Sequence, residues 1–522
     1  MSSVLRLVLI ETIAGQEFAF RRGNMLGTRL EMGRRNGGIR LSATTIGHFE
    51  HSAFESFVDE MMQTHKVPGI CVGIVHKGDV VYLKGFGYRD LENKMPVTGN
   101  TVFGIASVTK SFTALGISQL SERGLVSIED PVRKHLPGFN VPDPRYAGKI
   151  SIHNFLTHTA GIPPLPSLNY GIMESTQPDE EEEPHVSGSN EDAKGPSFKD
   201  VDGLLEFIST WDYSLLGAPG EFLSYSNDCF GLLGSIIEKA SGDTYEDYLQ
   251  NYILRPLGME HTTTRVDKLE KFDEVTRLYY KDPDDNLCVS DNWQEAPAFT
   301  ACGFLKSSVL DLLSYLDLYI NRGRAGASPI VSPSSISRMV TPYYPYNPDQ
   351  WYGYGFNVRP DYYGVTLVQH SGSLKGVASN IGYVPEKDLG VVVLSNMTGF
   401  PASKVWLGAV NLCLGLDLRT PITEKKVMPQ PEARLLKFVG TYRSGEGACI
   451  RLHMVDGEIK ATIDSKTYQV ETTGPDTAVI IVEVVDNFIK LLTDCDGKVW
   501  ALRYGSRIIL RSEDDSEVLC VV

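Results

Sequence analysis

The stretch Ser107-Val108-Thr109-Lys110-Ser111-Phe112-Thr113-Ala114-Leu115, running on to Gly124, decides how the rest of the chain is read. Val108, Phe112 and Leu115 recur at helical spacing and Gly124 supplies a stop, so the segment predicts a buried helix over 107–123. Ser107 then stands at the helix start with Lys110 one turn along on the same face. A hydroxyl beside an amine suits a nucleophile and its base, and the helix N-terminus adds partial positive charge and a free backbone N–H. Alone the pattern is weak. Ordinary composition gives about two Ser-x-x-Lys matches by chance in a chain this long, and an N-cap serine with a lysine lying along the surface would read the same.

Upstream, the apolar runs 70–75 and 80–86 are joined by His76-Lys77-Gly78-Asp79, which predicts an antiparallel hairpin preceded by a short amphipathic helix around Phe54 to Val58. Downstream, Phe230, Leu233, Ile237 and Ala240 predict a second buried helix over 227–240, capped by Gly242, and Val309, Leu312, Leu313 and Leu316 a third over 308–320. Strands are expected again at 365–369, 378–384 and 390–394, the last two joined through Pro385-Glu386-Lys387-Asp388. Strands, then helices, then strands indicate an α+β domain with a mainly antiparallel sheet.

Two further segments carry chemistry. Tyr225-Ser226-Asn227 lies just before the second helix, where a phenol and an amide can project into a cleft, although Asn227 is equally an N-cap. His370-Ser371-Gly372-Ser373 is expected at the end of an apolar strand, with Gly372 permitting close approach to backbone. The order and spacing of Ser-x-x-Lys, Tyr-x-Asn and His-x-Gly resemble those of the serine β-lactamase-related, penicillin-binding-protein-like hydrolase family, which includes class C β-lactamases, D-aminopeptidases and esterases. Leu156-Thr157-His158-Thr159-Ala160-Gly161-Ile162-Pro163, Pro219-Gly220-Glu221-Phe222-Leu223-Ser224 and Arg255-Pro256-Leu257-Gly258-Met259 look like signature segments of the same family. The likeness covers about residues 50 to 420.

The resemblance implies a β-lactamase/transpeptidase-like domain, an antiparallel sheet flanked by helices beside a helical lobe, with the site between them. It implies Ser107 as nucleophile, Lys110 and Tyr225 as general base or acid, and the backbone N–H groups of Ser107 and Ser373 as oxyanion donors. Asn227, His370, Ser371 and Gly372 would bind substrate, and neither a metal nor an organic cofactor is needed. His370 stands where many penicillin-binding proteins and β-lactamases carry the lysine of Lys-Thr-Gly. A histidine is only partly charged near pH 7, so the expected substrates are amides or esters of small molecules or short peptides, D-residues included, rather than ligands with a free carboxylate there. The alternatives are a β-lactamase or D,D-carboxypeptidase, and a catalytically silent scaffold or ligand-binding protein of the same fold.

The chain of 522 residues, 42% hydrophobic and 22% charged, is long enough for two or three domains. Its net charge of −16 argues against nucleic-acid binding. Residues 1–47 read as a poorly ordered tail. The run Ser3-Val4-Leu5-Arg6-Leu7-Val8-Leu9-Ile10 is too short for an export signal, and Arg21-Arg22 is followed by no apolar stretch. No membrane span is expected. Eight cysteines, at 71, 229, 288, 302, 413, 449, 495 and 520, lack paired spacing and read as reduced thiols, consistent with a cytoplasmic protein. The catalytic domain is expected over 48–425 with an acidic insertion at 168–200, built around Asp179-Glu180-Glu181-Glu182-Glu183 and read as a solvated loop. After Pro429 and Pro431, alternating segments punctuated by Asp456-Gly457 and Asp496-Gly497 predict a small all-β domain over 434–522, with a closed barrel expected because closure removes exposed strand edges. Val439-Gly440-Thr441-Tyr442 and the strand rhythm resemble the lipocalin-like barrel that follows some of these catalytic domains. The barrel's role and self-association into a homo-oligomer are left open by the sequence.

Overall fold

The computed structural model describes residues 40–41, 49–176, 198–463, 465–482 and 485–512. The expected tail therefore lies outside the described residues except for Arg40–Leu41, which is a strand paired in parallel with Asp79 and Val80. The acidic run Asp179 to Glu183 also lies outside the described residues. The flank of the insertion is helical over Ser167–Ser175, where a loop was expected.

Nearly continuous apolar runs build the central sheet. Helix α1 (His51–His65) leads into β1 (Gly69–His76) and β2 (Asp79–Asp90), which pair antiparallel as the hairpin. Near the end of the domain β3 (Asn357–Tyr362), β4 (Val365–Leu374), β5 (Val377–Val384) and β6 (Leu389–Ser395) form a meander, and β6 pairs with β1 through Val393 and Val72. The order β2-β1-β6-β5-β4-β3 joins the two ends of the domain in one sheet. β1, β5 and β6 are buried along almost their whole length, as strands covered on both faces must be. On one face α4 (Val309–Ile320) sits so close that a Cβ on Gly73 would lie 2.5 Å from Val309. On the other, α5 (Ala402–Leu414) brings Trp406 within 2.6 Å of where a Gly382 Cβ would be.

The expected helix at Ser107 begins with a 3-10 turn, Ala106–Val108, and continues as α2 (Thr109–Glu122). Phe112 is fully buried, and its ring stacks on Tyr315 of α4 at 3.8 Å. The second helix, α3 (Asn227–Ser241), ends on Gly242 in the left-handed region as expected. Its N-cap is Ser226, whose hydroxyl accepts from Cys229 N–H, rather than Asn227. Asn227 is thereby released for other contacts.

Residues 440–511 form a closed eight-stranded barrel, β7 to β14: Gly440–Arg443, Cys449–Val455, Glu458–Ile463, Lys466–Thr472, Thr477–Val482, Val485–Thr493, Val499–Tyr504 and Arg507–Arg511. Pairing of β7 with β14 closes it, and Tyr442, Leu452, Ala461, Ala478 and Leu502 fill its interior. Closure removes the exposed edges that an open sheet would leave. The barrel packs on the preceding domain through Ala501 and Ile508 against Leu216, with Trp500 beside Phe222. Cys71, Cys229, Cys288, Cys302, Cys413 and Cys495 are free, but Cys449 is disulfide-bonded, so the expectation of reduced thiols throughout fails at that position. Among the described residues no helix is long and apolar enough to cross a membrane.

Candidate active site

The turn before α2 is held from several sides. Thr109 Oγ1 donates to Ala106 O (2.7 Å) and accepts from Leu305 N–H, while Ile105 N–H donates to Leu305 O. Ala106 adopts φ +45°, a left-handed conformation costly for any residue with a Cβ. That kink immediately precedes Ser107. β4 presses on the same turn. A Cβ at Gly372 would lie 2.3 Å from Ile105 O and 2.9 Å from Ser107 N, and Ser379 of β5 donates its hydroxyl to Ile105 O at 2.8 Å. The His-Ser-Gly segment thus lies inside β4, not at its end. The strand continues to Leu374, with Gly372 opposite Ser379, because β5 is long enough to pair with all of it. Along this stretch His370 and Gly372 are buried and Ser371 and Ser373 exposed, as the two-residue period of a strand requires.

Ser107 is half-buried and Lys110 fully buried. Lys110 Nζ lies 3.2 Å from Ser107 Oγ and donates to Asn227 Oδ1 at 2.9 Å and to Cys302 O at 2.7 Å. The carbonyl of Cys302 belongs to a short helix, Thr300–Gly303, tied to α2 by the Thr113 hydroxyl bonded to Ala301 O at 2.6 Å. Nothing in the sequence marked a backbone carbonyl as a partner of Lys110. Lys110 Nζ also sits over the ring of Tyr225, 4.7 Å from its centroid. Tyr225 Oη is buried and has no hydrogen-bond partner among the described residues. The pair Ser107 and Lys110 thus meets the pair Tyr225 and Asn227, more than a hundred positions further along the chain.

His370 is 3% exposed and bonded at both ring nitrogens. Nδ1 donates to Ser371 O at 2.6 Å, since a carbonyl can only accept, which leaves Nε2 to accept from Tyr352 Oη at 3.0 Å. Burial, with the Lys110 charge nearby, pushes its pKa down to about 3. The sequence suggested a partly charged imidazole; the enclosed site makes it neutral.

A second histidine, His158, belongs to the segment Leu156 to Pro163. It lies against the Tyr225 ring with centroids 4.2 Å apart, accepts from Ser226 N–H at Nδ1, and is held well below the usual imidazole range by burial and by Lys110. Behind Asn227, the buried Asp228 carboxyl is bonded by the hydroxyls of Ser167 and Ser226. Burial raises its pKa to about 6. A small, mainly apolar recess of about 10 Å³ lies beside Ala106, lined by Leu278, Trp293, Phe304, Leu374 and Val377.

A family model described as Beta-lactamase matches residues 54–409. Protein flp of Staphylococcus aureus (strain MW2) is 29% identical over 355 residues, which cover 66% of this chain and 62% of flp. The chain thus spans under two thirds of that relative's length. Penicillin-binding protein 4* of Bacillus subtilis (strain 168) is 33% identical over 207 residues, 39% of this chain and 40% of that protein. Among solved structures, the octameric penicillin-binding protein homologue from Pyrococcus abyssi is 33% identical with a TM-score of 0.63, covering 89% of this chain and 100% of its own. The crystal structure of SurE, at 20% identity, has a TM-score of 0.66 over 88% of this chain and 98% of its own and shares the fold.

Proposed function

Because the chain belongs to the Beta-lactamase family, we propose that it is a serine hydrolase that cleaves amide or ester bonds through an acyl-enzyme on Ser107. The observation that carries this reading is the cage around Lys110. Its Nζ faces two carbonyl oxygens, of Asn227 and Cys302, and one hydroxyl, of Ser107. As an ammonium it donates to all three. As a neutral amine it donates to the two carbonyls and turns its lone pair to the Ser107 hydroxyl, which then donates. Both protonation states are fully hydrogen-bonded, and they differ only in the direction of the Ser107–Lys110 bond, which is what a proton shuttle needs.

In this reading Ser107 Oγ attacks the carbonyl carbon, its proton passes to neutral Lys110, and the oxyanion is met by the N–H groups of Ser107 and Ser373. The leaving amine or alcohol departs with a proton delivered through Tyr225, whose unpartnered hydroxyl is free to meet it. Water then attacks the acyl-enzyme, giving the carboxylic acid and regenerating Ser107. Asn227 holds Lys110 in place.

The neutral, enclosed His370 presents no fixed positive charge where a lysine would bind a carboxylate. The substrates are accordingly esters, amides or short peptides, D-residues included, with no carboxylate at that subsite. Penicillinase and D,D-carboxypeptidase activity are the weaker readings for the same reason. A silent scaffold would have no need of the Lys110 cage. Following its octameric Pyrococcus homologue, the chain is expected to self-associate, which light scattering would measure.

The test is turnover of p-nitrophenyl esters, L- and D-aminoacyl anilides and a chromogenic cephalosporin by wild type and Ser107→Ala, with fluorophosphonate labelling of both. Ester or anilide turnover and labelling, each lost in Ser107→Ala, are expected. Efficient hydrolysis of the cephalosporin with none of the neutral substrates would overturn the substrate assignment, and labelling that survives in Ser107→Ala would overturn the nucleophile.

A further inference from the structure

Two hairpin turns of the barrel reach the residues that flank Tyr225. Ser506 O, in the β13–β14 turn, accepts from Tyr225 N–H at 2.8 Å, and Ile508 N–H donates to Ser224 Oγ at 3.2 Å. In the β7–β8 turn, Gly445 N–H donates to Pro164 O at 3.1 Å and Glu446 O accepts from Asn169 Nδ2 at 3.3 Å. These contacts place two charged side chains within the site. The Glu446 carboxylate accepts from Asn227 Nδ2 at 3.3 Å and pairs with the guanidinium of Arg507, whose Nη2 is 3.4 Å from Glu446 Oε1. The Arg507 guanidinium carbon lies 4.9 Å from the centroid of the Tyr225 ring.

We propose that the barrel is part of the active site, with Glu446 and Arg507 as positioning residues for Asn227 and Tyr225. The inference rests on the reading of Ser107 and Lys110 as the reacting pair. A side-chain amide has two ends that chemistry tells apart. Its carbonyl can receive Lys110 and its N–H₂ can receive a carboxylate, but neither end can do both. Glu446 on one side and Lys110 on the other therefore leave Asn227 one satisfied orientation, in which its oxygen faces Lys110. Without Glu446 the amide is free to turn, and Lys110 loses one of the two carbonyls that hold it against Ser107. Arg507 restrains the Glu446 carboxylate and sets a second cation against the Tyr225 ring, with Lys110 also over that ring at 4.7 Å. The ion pair is half-buried, its side chains 32% and 17% exposed, so it is formed where solvent screens it only in part.

The experiment uses the full-length protein and the variants Glu446→Ala, Glu446→Gln, Arg507→Gln and Arg507→Lys, read by kcat and KM on a neutral p-nitrophenyl ester and by crystal structures of wild type and Glu446→Ala. Glu446→Ala is expected to lower kcat about 10- to 100-fold, the scale of a misplaced catalytic group, with KM within about threefold. Glu446→Gln, whose amide oxygen still accepts from Asn227, loses less, and Arg507→Lys loses less than Arg507→Gln. In the Glu446→Ala crystal the Asn227 oxygen leaves Lys110. Where Glu446→Ala does not fold because Arg507 is left unpaired, Glu446→Ala combined with Arg507→Gln keeps the charge balance and reads the same loss. Folded variants with kcat within twofold of wild type, or an unmoved Asn227 in the crystal, would overturn the proposal. A wild type that turns over no ester or amide defeats the hydrolase reading alone, and the position of Asn227 in the two crystals still decides this one.

Discussion

Gly372→Ala tests the contact on which the site's geometry depends. The added Cβ would lie 2.3 Å from Ile105 O, 2.6 Å from Ser379 Oγ and 2.9 Å from Ser107 N. The hydroxyl can rotate away; the two backbone atoms cannot. Restoring an ordinary C···O separation of about 3.4 Å requires β4 and the Ala106–Val108 turn to part by about 1 Å. β4 is held on its other side by β5 through the pairs from Val368–Tyr383 to Leu374–Val377, so the turn, already strained at Ala106, must give. The shift moves Ser107 relative to Ser373, whose N–H groups are proposed to share the oxyanion. A displacement of about 1 Å is worth about 100-fold in rate, or roughly 2.7 kcal/mol in activation free energy. The assay is kcat/KM on a p-nitrophenyl ester beside thermal denaturation, with Gly148→Ala as control, since a Cβ there meets nothing within 4 Å. A Gly372→Ala enzyme with kcat/KM within threefold of wild type and an unchanged melting temperature would refute the reasoning.

Two further outcomes follow from burial. His370 titrates near 6.5 when unfolded and near 3 when folded, so the unfolded chain binds the extra proton first and the histidine costs stability as pH falls below 6.5. The stability advantage of wild type over His370→Gln should shrink by about 2 kcal/mol between pH 7 and pH 5, measured by urea denaturation; a constant gap would show that His370 is not held neutral. Phe112→Ala empties a fully buried site stacked on Tyr315 and should cost about 3–5 kcal/mol, seen as a lower denaturation midpoint, with a loss under about 1 kcal/mol contradicting the packing described.

What could be read from the sequence was what is local or periodic. Lys110 follows Ser107 by one helical turn, so their proximity depends only on the Ala106–Val108 turn and the start of α2, and the apolar runs of β1, β4, β5 and β6 announced the sheet. Tyr225, Asn227 and His370 were found through the resemblance, because no spacing rule links residues over a hundred positions apart. Three features were hidden. The extension of β4 past His370 is decided by its partner β5, not by its own polar residues. The neutrality of His370 comes from enclosure by Tyr352 and the β4 backbone, whereas composition offers only the ordinary imidazole value. Glu446, between two glycines in a hairpin turn, reads as solvated surface until the barrel is docked.

The charges around Ser107 have a common logic. Arg507 is matched by Glu446, His158 and His370 are neutral, and Lys110 is enclosed by two carbonyl dipoles and a hydroxyl. Arg507 is already paired with Glu446 and Lys110 is already hydrogen-bonded on three sides, so a substrate carboxylate entering there would have to displace an internal partner before gaining an interaction. A neutral ester or amide displaces none. In the proposed mechanism the charge that arises on its oxygen during attack is new, and it would meet N–H groups and a helix N-terminus oriented before the substrate arrives, at no cost of reorganisation. Under the proposed reading, pairing of the ground-state charges would discriminate against anionic substrates while leaving transition-state stabilisation intact. The discrimination extends to the barrel, because Glu446 is the acceptor that keeps Arg507 from offering itself to a carboxylate. Arg507 and Glu446 therefore act on substrate choice as a pair: with the carboxylate removed and the guanidinium kept, the site should gain affinity for anionic esters as it loses rate on neutral ones.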